Sequence, residues 1–323
     1  MAEEIARVTV DALVRASIAA GVELEVLAGR AGLDRAVGNP YPQKAGLALA
    51  GFDAALQAER VLVFGQSEVR FLTSRLDAAT RQVIARVAGR VFAPNEGASA
   101  PAAVGDALIT AMNDKDALVR RWAMDSLGWM KFEHAIQALT DRASYYGKNE
   151  EGAGALHAVA RIASSGSAPV LRALLANTYI PFRLLSIEGL GRIGDQGSLP
   201  AINESATGVN DAGVSLAASY ARFMLGQADV VAIADALEHP DIAVQAKVYL
   251  AEIAVLKPDA IHALLRTPNP STRMLAAEIL GASQHVDEIA TLEPLLKDPA
   301  PEVVEVASEA IRRLRAYGTV AKP

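Results

Sequence analysis

Cysteine is absent from this 323-residue chain. That removes disulfide frameworks, zinc knuckles, iron–sulfur clusters and thiol catalysis together. Aromatic residues are scarce, 5% of the chain against 51% hydrophobic residues overall. The core is therefore built from Ala, Leu, Val and Ile, which suits closely stacked helices better than sheets, where β-branched and aromatic side chains dominate. No uncharged apolar run approaches the ~18 residues needed to span a bilayer. The opening Met1-Ala2-Glu3-Glu4 is acidic and lacks the basic start and apolar stretch of a secretory signal. Basic residues are not in excess either. The net charge is −6 with 21% charged residues, a balance that argues against disorder and offers no general attraction to nucleic acid or anionic lipid. A soluble, cytoplasmic protein is expected, of about two domains or one longer repetitive body. The acidity lies towards the end: residues 193–323 hold 17 acids and 10 bases, whereas residues 96–192 hold 10 of each.

From about residue 100 a pattern recurs: a small residue, then an apolar–small pair four and five positions later. It runs through Ala123…Leu127-Gly128, Ala155…Val159-Ala160, Ser186…Leu190-Gly191, Ala221…Leu225-Gly226, Ala246…Leu250-Ala251, Ala276…Leu280-Gly281 and Ala307…Ile311-Arg312. The last positions of these copies are spaced by 32, 31, 35, 25, 30 and 31 residues. The long spacing followed by a short one suggests one lengthened loop and one trimmed loop. Each unit reads as two helices joined by a turn rich in Asn, Asp and Pro, such as Asn113-Asp114-Lys115-Asp116, Asn210-Asp211, Pro268-Asn269-Pro270 and Lys297-Asp298-Pro299. Asp and Asn there can accept the free N–H groups of the next helix, and Pro suits its first turn. The small residues allow neighbouring helices to approach closely. Units of this kind cannot bury their apolar faces alone, so they stack on one another. Leu118-Val119-Arg120-Arg121-Trp122-Ala123…Leu127-Gly128, echoed at Arg183…Leu190-Gly191 and Arg273…Leu280-Gly281, resembles HEAT repeats of the phycobilisome-lyase-like variety over about residues 100–316. The resemblance implies an α-solenoid of about seven helix pairs.

Residues 1–90 lack this period. Val8-Thr9-Val10, Val22–Gly29 and Arg60–Gly65 read as strands, and Asp11–Ser17, Gln66–Arg75 and Asp77–Ala88 as helices, which together make a small α/β module. In order and spacing, Val8-Thr9-Val10, Leu24–Gly29, Lys44–Phe52, Glu59–Glu68 and Phe71-Leu72 resemble the N-terminal domain of bacterial HPr kinase/phosphorylase, over about residues 6–75. Lys44 and Ala45 stand where that family has arginine and proline. The family's kinase chemistry depends on a Gly-rich phosphate loop ending in Gly-Lys-Ser/Thr. The chain has no counterpart: Gly147-Lys148-Asn149 follows two tyrosines and lacks the hydroxyl residue. Kinase and phosphorylase activity are therefore not implied.

Reactive constellations are few. The histidines are 134, 157, 239, 262 and 285, and none precedes a glutamate, so the His-Glu dipeptides by which the HEAT-type deoxyhypusine hydroxylases hold iron are missing. Gly-x-Ser-x-Gly is absent, and Ser164-Ser165-Gly166-Ser167 reads as a helix-ending turn. Glu150-Glu151 reads as part of a loop with its side chains pointing apart. No catalytic residue, metal ligand or cofactor is expected. The suggestive surface residues are Arg120, Arg121, Trp122 and Trp129, with both tryptophans of the chain on one helix face, and Tyr145, Tyr146 and Lys148 in a long loop from Ala143 to Gly152. The first group admits three readings. The tryptophans fill the core where the α/β module meets the first repeat, with arginines bonded to turn carboxylates such as Asp116; or the group binds a protein; or it cradles nucleic acid, as in HEAT-like DNA glycosylases. The tyrosines either anchor a partner or decorate the loop. Arg312-Arg313-Leu314-Arg315 makes the last helix more polar than an inner one, as in a terminal cap.

The sequence thus predicts a mainly α protein: an α/β module at 1–92, a linker at 93–100, a HEAT-like α-solenoid at 101–316 and a tail at 317–323. It is read as a non-catalytic scaffold or adaptor, with a possible link to phosphotransferase signalling. Its partner would be a protein on the solenoid surface, with neither nucleic acid nor membrane, and a ligand of the N-terminal module is left open. The alternatives are a bilin lyase or isomerase and a nucleic-acid binder.

Overall fold

The structure is a computed structural model that describes residues 78–91, 102–207 and 209–320. Among them every regular element is helical: α1 (Ala78–Val91), α2 (Ala102–Ala111), α3 (Ala117–Trp129), α4 (Ile136–Tyr146), α5 (Glu150–Ile162), α6 (Ala168–Leu174), α7 (Ile180–Ile193), α8 (Leu199–Ala206), α9 (Ala212–Met224), α10 (Val231–Asp235), α11 (Pro240–Leu256), α12 (Pro270–Ala282), α13 (Glu288–Leu292) and α14 (Pro301–Val320). A longer 3-10 segment, Pro258–Arg266, stands between α11 and α12 as the first helix of its pair. The strands and helices expected between Val8 and Arg75 lie outside the described residues.

The turn chemistry starts the helices as expected. Asp116 accepts from the N–H groups of Leu118 and Val119, Asn149 from Gly152, Asp211 from Val214 and Asn269 from Ser271. Each such cap is worth ~1 kcal/mol, because it satisfies donors that the helix itself leaves free. Pro240 and Pro270 occupy first-turn positions where no donor is lost.

Small residues set the distance between layers. A Cβ placed on Gly281 would lie 2.5 Å from the Cβ of Ala310, and one on Gly191 would lie 2.8 Å from the Cα of Ala221. At Gly128 the nearest backbone atom is the Cα of Ala158, at 3.3 Å. In the first and last of these pairs, the residue touched precedes the end of its own sequence motif by two positions. The contact at Ala221 then places the equivalent position at Phe223, not Gly226. Gly226 stands beyond the end of α9 with φ +73 and open space around its Cα. The spacings of 35 and 25 become 32 and 28 in this register. The apparent loop lengthening is corrected: a helix-ending glycine imitates the motif three residues late.

The chain divides into two compact units, residues 1–189 and 190–323. In the described part of the first, α1 packs on α3, and α3 on α5, as successive second helices of a pair. Helix α1 makes the same small-residue contact as the repeats. A Cβ on Gly89 would lie 2.5 Å from the Cα of Ser126, whose hydroxyl accepts from Gly89 N–H at 3.0 Å and donates to the Ala85 carbonyl. In the second unit, Tyr220, Tyr249, Leu250, Ile253, Leu264, Leu280, Leu292 and Leu314 belong to one continuous core. The Tyr220 and Tyr249 rings stack at 4.3 Å. Arg192 lies over the Tyr220 ring and reaches Glu252 at 2.8 and 2.9 Å, so one guanidinium ties α7, α9 and α11. Helix α14 buries Val303, Ala307, Ala310, Ile311 and Leu314 and exposes Arg312, Arg313 and Arg315.

Candidate functional site

Helix α3 turns Val119, Ala123, Met124, Ser126 and Leu127 inward. The helical period leaves Leu118, Arg121, Trp122, Asp125 and Trp129 on an outward stripe. Trp122 is half-buried under two guanidinium groups, Arg86 of α1 at 5.1 Å and Arg121 at 5.7 Å from the ring. Trp129 is 47% exposed, and Arg161 of α5 lies over its ring at 4.0 Å. Between the indoles, Asp125 faces Nδ1 of His157 at 3.6 Å. Each cation–π contact is worth ~0.5–1 kcal/mol at an exposed site. The surface of α1, α3 and α5 is thus a comb of guanidinium groups laid on indoles. For Trp129, which is 47% exposed, the core reading is corrected. The inward positions are already filled, and the Gly89–Ser126 approach leaves no room for an indole between α1 and α3.

Arg120 turns the other way. Its Nε and Nη2 donate to Glu151 at 2.9 and 3.0 Å, and its Nη1 to the carbonyls of Asp114 and Lys115 at 3.0 and 3.2 Å. The partner is therefore Glu151, from the first turn of α5, and not Asp116. Asp116 is the cap of α3 and also accepts from Gln82 Nε2 at 3.0 Å. Glu151 lies in a helix, not a loop, and Arg142 donates to it as well, at 3.0 Å from Nε. Burial pushes the Glu151 carboxyl up, but the bonds from Arg120 and Arg142 outweigh it, and the group is held below its ordinary range.

The same tie recurs along the chain. Arg81 and Asp114, both almost wholly buried, meet at 2.8 and 2.9 Å, and the Arg81 bond is the main reason the Asp114 carboxyl is held low. Arg273 grips Asp298 at 2.8 Å twice and donates to the carbonyls of Thr267 and Pro268 at 2.8 and 2.9 Å; the Asp298 carboxyl is lowered chiefly by that guanidinium. In these ties an arginine reaches a carboxylate 25 to 33 residues further on. Arg120 is part of this framework rather than of the open stripe.

Tyr145 and Tyr146 form the last turn of α4, so the long loop expected from Ala143 to Gly152 is corrected. The connection is only Gly147-Lys148-Asn149, closed by Gly147 at φ 58 and by the Asn149 cap. Tyr145 is 83% exposed and stands edge-on to Tyr146 at 5.0 Å, and Arg142 lies 5.0 Å over the Tyr146 ring. Lys148 Nζ donates to Thr178 Oγ1 at 2.8 Å. The seven candidates thus fall in three places: Arg121, Trp122 and Trp129 on the stripe, Arg120 in the ladder, and Tyr145, Tyr146 and Lys148 at the α4–α5 turn. The sequence reading missed Arg86 and Arg161, which lie on the neighbouring layers 36 residues before Trp122 and 32 after Trp129. Their sequence signal is an arginine on the second helix at about one repeat's distance from each tryptophan. It also missed Asp259, His262 and Glu288, whose ligand atoms all lie within 4.8 Å of one another.

Comparison with known proteins agrees with the two resemblances. Residues 8–92 match the family described as the HPr serine kinase N terminus, and residues 230–312 match HEAT repeats. The HEAT match covers about a quarter of the chain, within the second compact unit. No curated protein sequence matches it. Among solved structures, it is similar to the complex of CpcE and CpcF of phycocyanin lyase from Nostoc sp. PCC7120, at 18% identity and a TM-score of 0.44, over 77% of this chain and 94% of that one. It is also similar to human deoxyhypusine hydroxylase in complex with glycerol, at 17% identity and a TM-score of 0.39, over 78% of this chain and 97% of that one. A third similar structure is an engineered protein, at 19% identity and a TM-score of 0.39, over 93% of this chain and 94% of that one. The expectation that the chain is no enzyme is corrected here: two of these similar structures carry enzyme names, a lyase and a hydroxylase. No helix among the described residues is long and apolar enough to cross a membrane.

Proposed function

We propose that this HEAT-repeat protein acts as a scaffold or adaptor that holds a protein partner on the outward stripe of α1, α3 and α5. The observation that carries the reading is the open indole of Trp129, backed by Arg161, seven residues from the Arg-covered Trp122. Tryptophan and arginine are among the side chains most often responsible for binding energy at protein interfaces. Here the guanidinium groups are already positioned on the rings, so little ordering is left for the moment of binding. A nucleic-acid cradle is less well supported, since phosphate tracking needs a sustained basic stripe and this one is interrupted by Asp125. Tyr145, Tyr146 and Lys148 would form a second contact. We take the helical array to begin at α1, inside the segment that matches the HPr serine kinase N terminus; that match supports a regulatory place beside phosphotransferase signalling.

The test is affinity capture from the source cell with the full chain and with Trp122→Ala/Trp129→Ala. A stoichiometric protein that the double variant loses supports the reading. Capture that both chains share, or a salt-sensitive nucleic acid in its place, overturns it. Bilin-dependent colour on co-expression with a phycobiliprotein would move the assignment to a lyase.

A further inference from the structure

We propose that Asp259, His262 and Glu288 form a binding site for one divalent ion of the zinc class, which fastens the first helices of two successive repeats. His262 Nε2 lies 2.8 Å from Glu288 Oε2 and 3.9 Å from Asp259 Oδ1. The three donors converge from two layers: Asp259 and His262 at i and i+3 on the 3-10 segment Pro258–Arg266, and Glu288 on α13. Zinc bonds of ~2.0–2.1 Å in a tetrahedral shell set donor atoms ~3.3 Å apart. The two separations from His262 bracket that value and all three donors lie within 4.8 Å of one another, so rotation of the exposed Asp259 side chain can close the shell.

Burial makes the arrangement more than a chance meeting of polar side chains. The Glu288 side chain is only 7% exposed, and among the described residues its one hydrogen-bond partner is His262. A buried carboxylate has more acceptor positions than one imidazole nitrogen can fill. A divalent ion takes up such a position and engages the imidazole nitrogen at the same time. The set also has an entrance. His262 is half-exposed and the Asp259 side chain is 95% exposed, so an ion arrives from solvent on the Asp259 side, where water fills the remaining position. Imidazole with carboxylates suits zinc, cobalt and nickel, and the lack of a thiolate argues against copper(I).

Cobalt(II) is the probe, added to the chelator-treated full chain. The expected result is a visible absorption band that saturates at one equivalent, disappears on adding zinc, and is lost in His262→Gln. Asp259→Asn, which alters an exposed side chain and leaves the fold intact, should weaken binding at least about tenfold. His239→Gln, remote in sequence and exposed, should bind as the parent does. Zinc should raise the melting temperature of the parent chain and not that of His262→Gln. Failure of the parent to saturate at one equivalent overturns the proposal, as does binding in His262→Gln and Asp259→Asn as tight as in the parent.

Discussion

The second helices α3 and α11 occupy corresponding places in the two units and present opposite outer surfaces. The stripe of α3 carries Arg121, Trp122, Asp125 and Trp129, with arginines from both neighbouring layers laid on the rings. That of α11 carries Val244, Val248 and Val255, with Val244 73% exposed, and no aromatic ring or guanidinium among its large exposed residues. Inward, the two units follow one rule: small residues where layers touch, and leucine or isoleucine between them. The stacking rule is thus indifferent to what the outer face carries. The ties between layers differ as well. Arg81–Asp114, Arg120–Glu151 and Arg273–Asp298 are local grips, whereas the α9–α11 layer is held by stacked tyrosines and by Arg192 reaching Glu252.

The largest effect that separates the two kinds of small residue is expected at Gly281. Gly281→Val forces a side chain into the space of Ala310, and overpacking of this kind costs ~3 kcal/mol. Gly226→Ala meets open space and suffers only from its positive φ, a cost of ~1 kcal/mol. Urea unfolding of both variants measures the gap. Equal costs would mean that Gly226 sits at a helix contact and that the register drawn from Gly191 and Ala221 is wrong.

That register shows how far the sequence could be read. Ala and Gly at helical spacing announced paired helices correctly, because close approach leaves few residue types possible. Gly226 passed for one of them because a helix-terminating glycine and a helix-contact glycine look identical in a string. The partner of Arg120 was sought at Asp116, four residues away, while the bond goes to Glu151, a whole repeat further on. Only stacking brings those two together. One of the three readings put one or both tryptophans in the core where the α/β module meets the first repeat. The structure fills it with alanine and leucine and leaves the indoles under arginines instead. Asp259, His262 and Glu288 escaped a search for adjacent His-Glu dipeptides because one ligand comes from the next layer.

Breaking one grip sharpens the comparison of the ties. Asp114→Asn removes the carboxylate that the buried Arg81 grips and should cost ~3 kcal/mol. Acid should do the same to the parent chain. The Asp114, Glu151 and Asp298 carboxyls are all held below their ordinary values in the fold. Their contribution is therefore fully present above the unfolded carboxylate range and is lost as pH falls through the lowered folded values. The urea midpoint should stay level from neutral pH to about pH 5 and then decline steeply below ~4. Asp114→Asn should decline less steeply than the parent; an identical slope would remove this grip from the acid response.

The smallest expected stability effects are on the two outer stripes. Trp129→Ala removes one cation–π contact and should cost ~0.5–1 kcal/mol. Val244→Ala, at a position open to solvent, should change stability by less than ~0.5 kcal/mol. Thermal melts of the two variants therefore differ little, and the contrast between the stripes should appear in partner capture: Trp129→Ala loses most of the bound protein and Val244→Ala retains it. If the valine variant loses the partner and the tryptophan variant keeps it, the docking face belongs to the second unit. The Arg–Trp comb would then be a stabilising cover over α3, because a guanidinium on an indole shields apolar surface whether or not anything binds there.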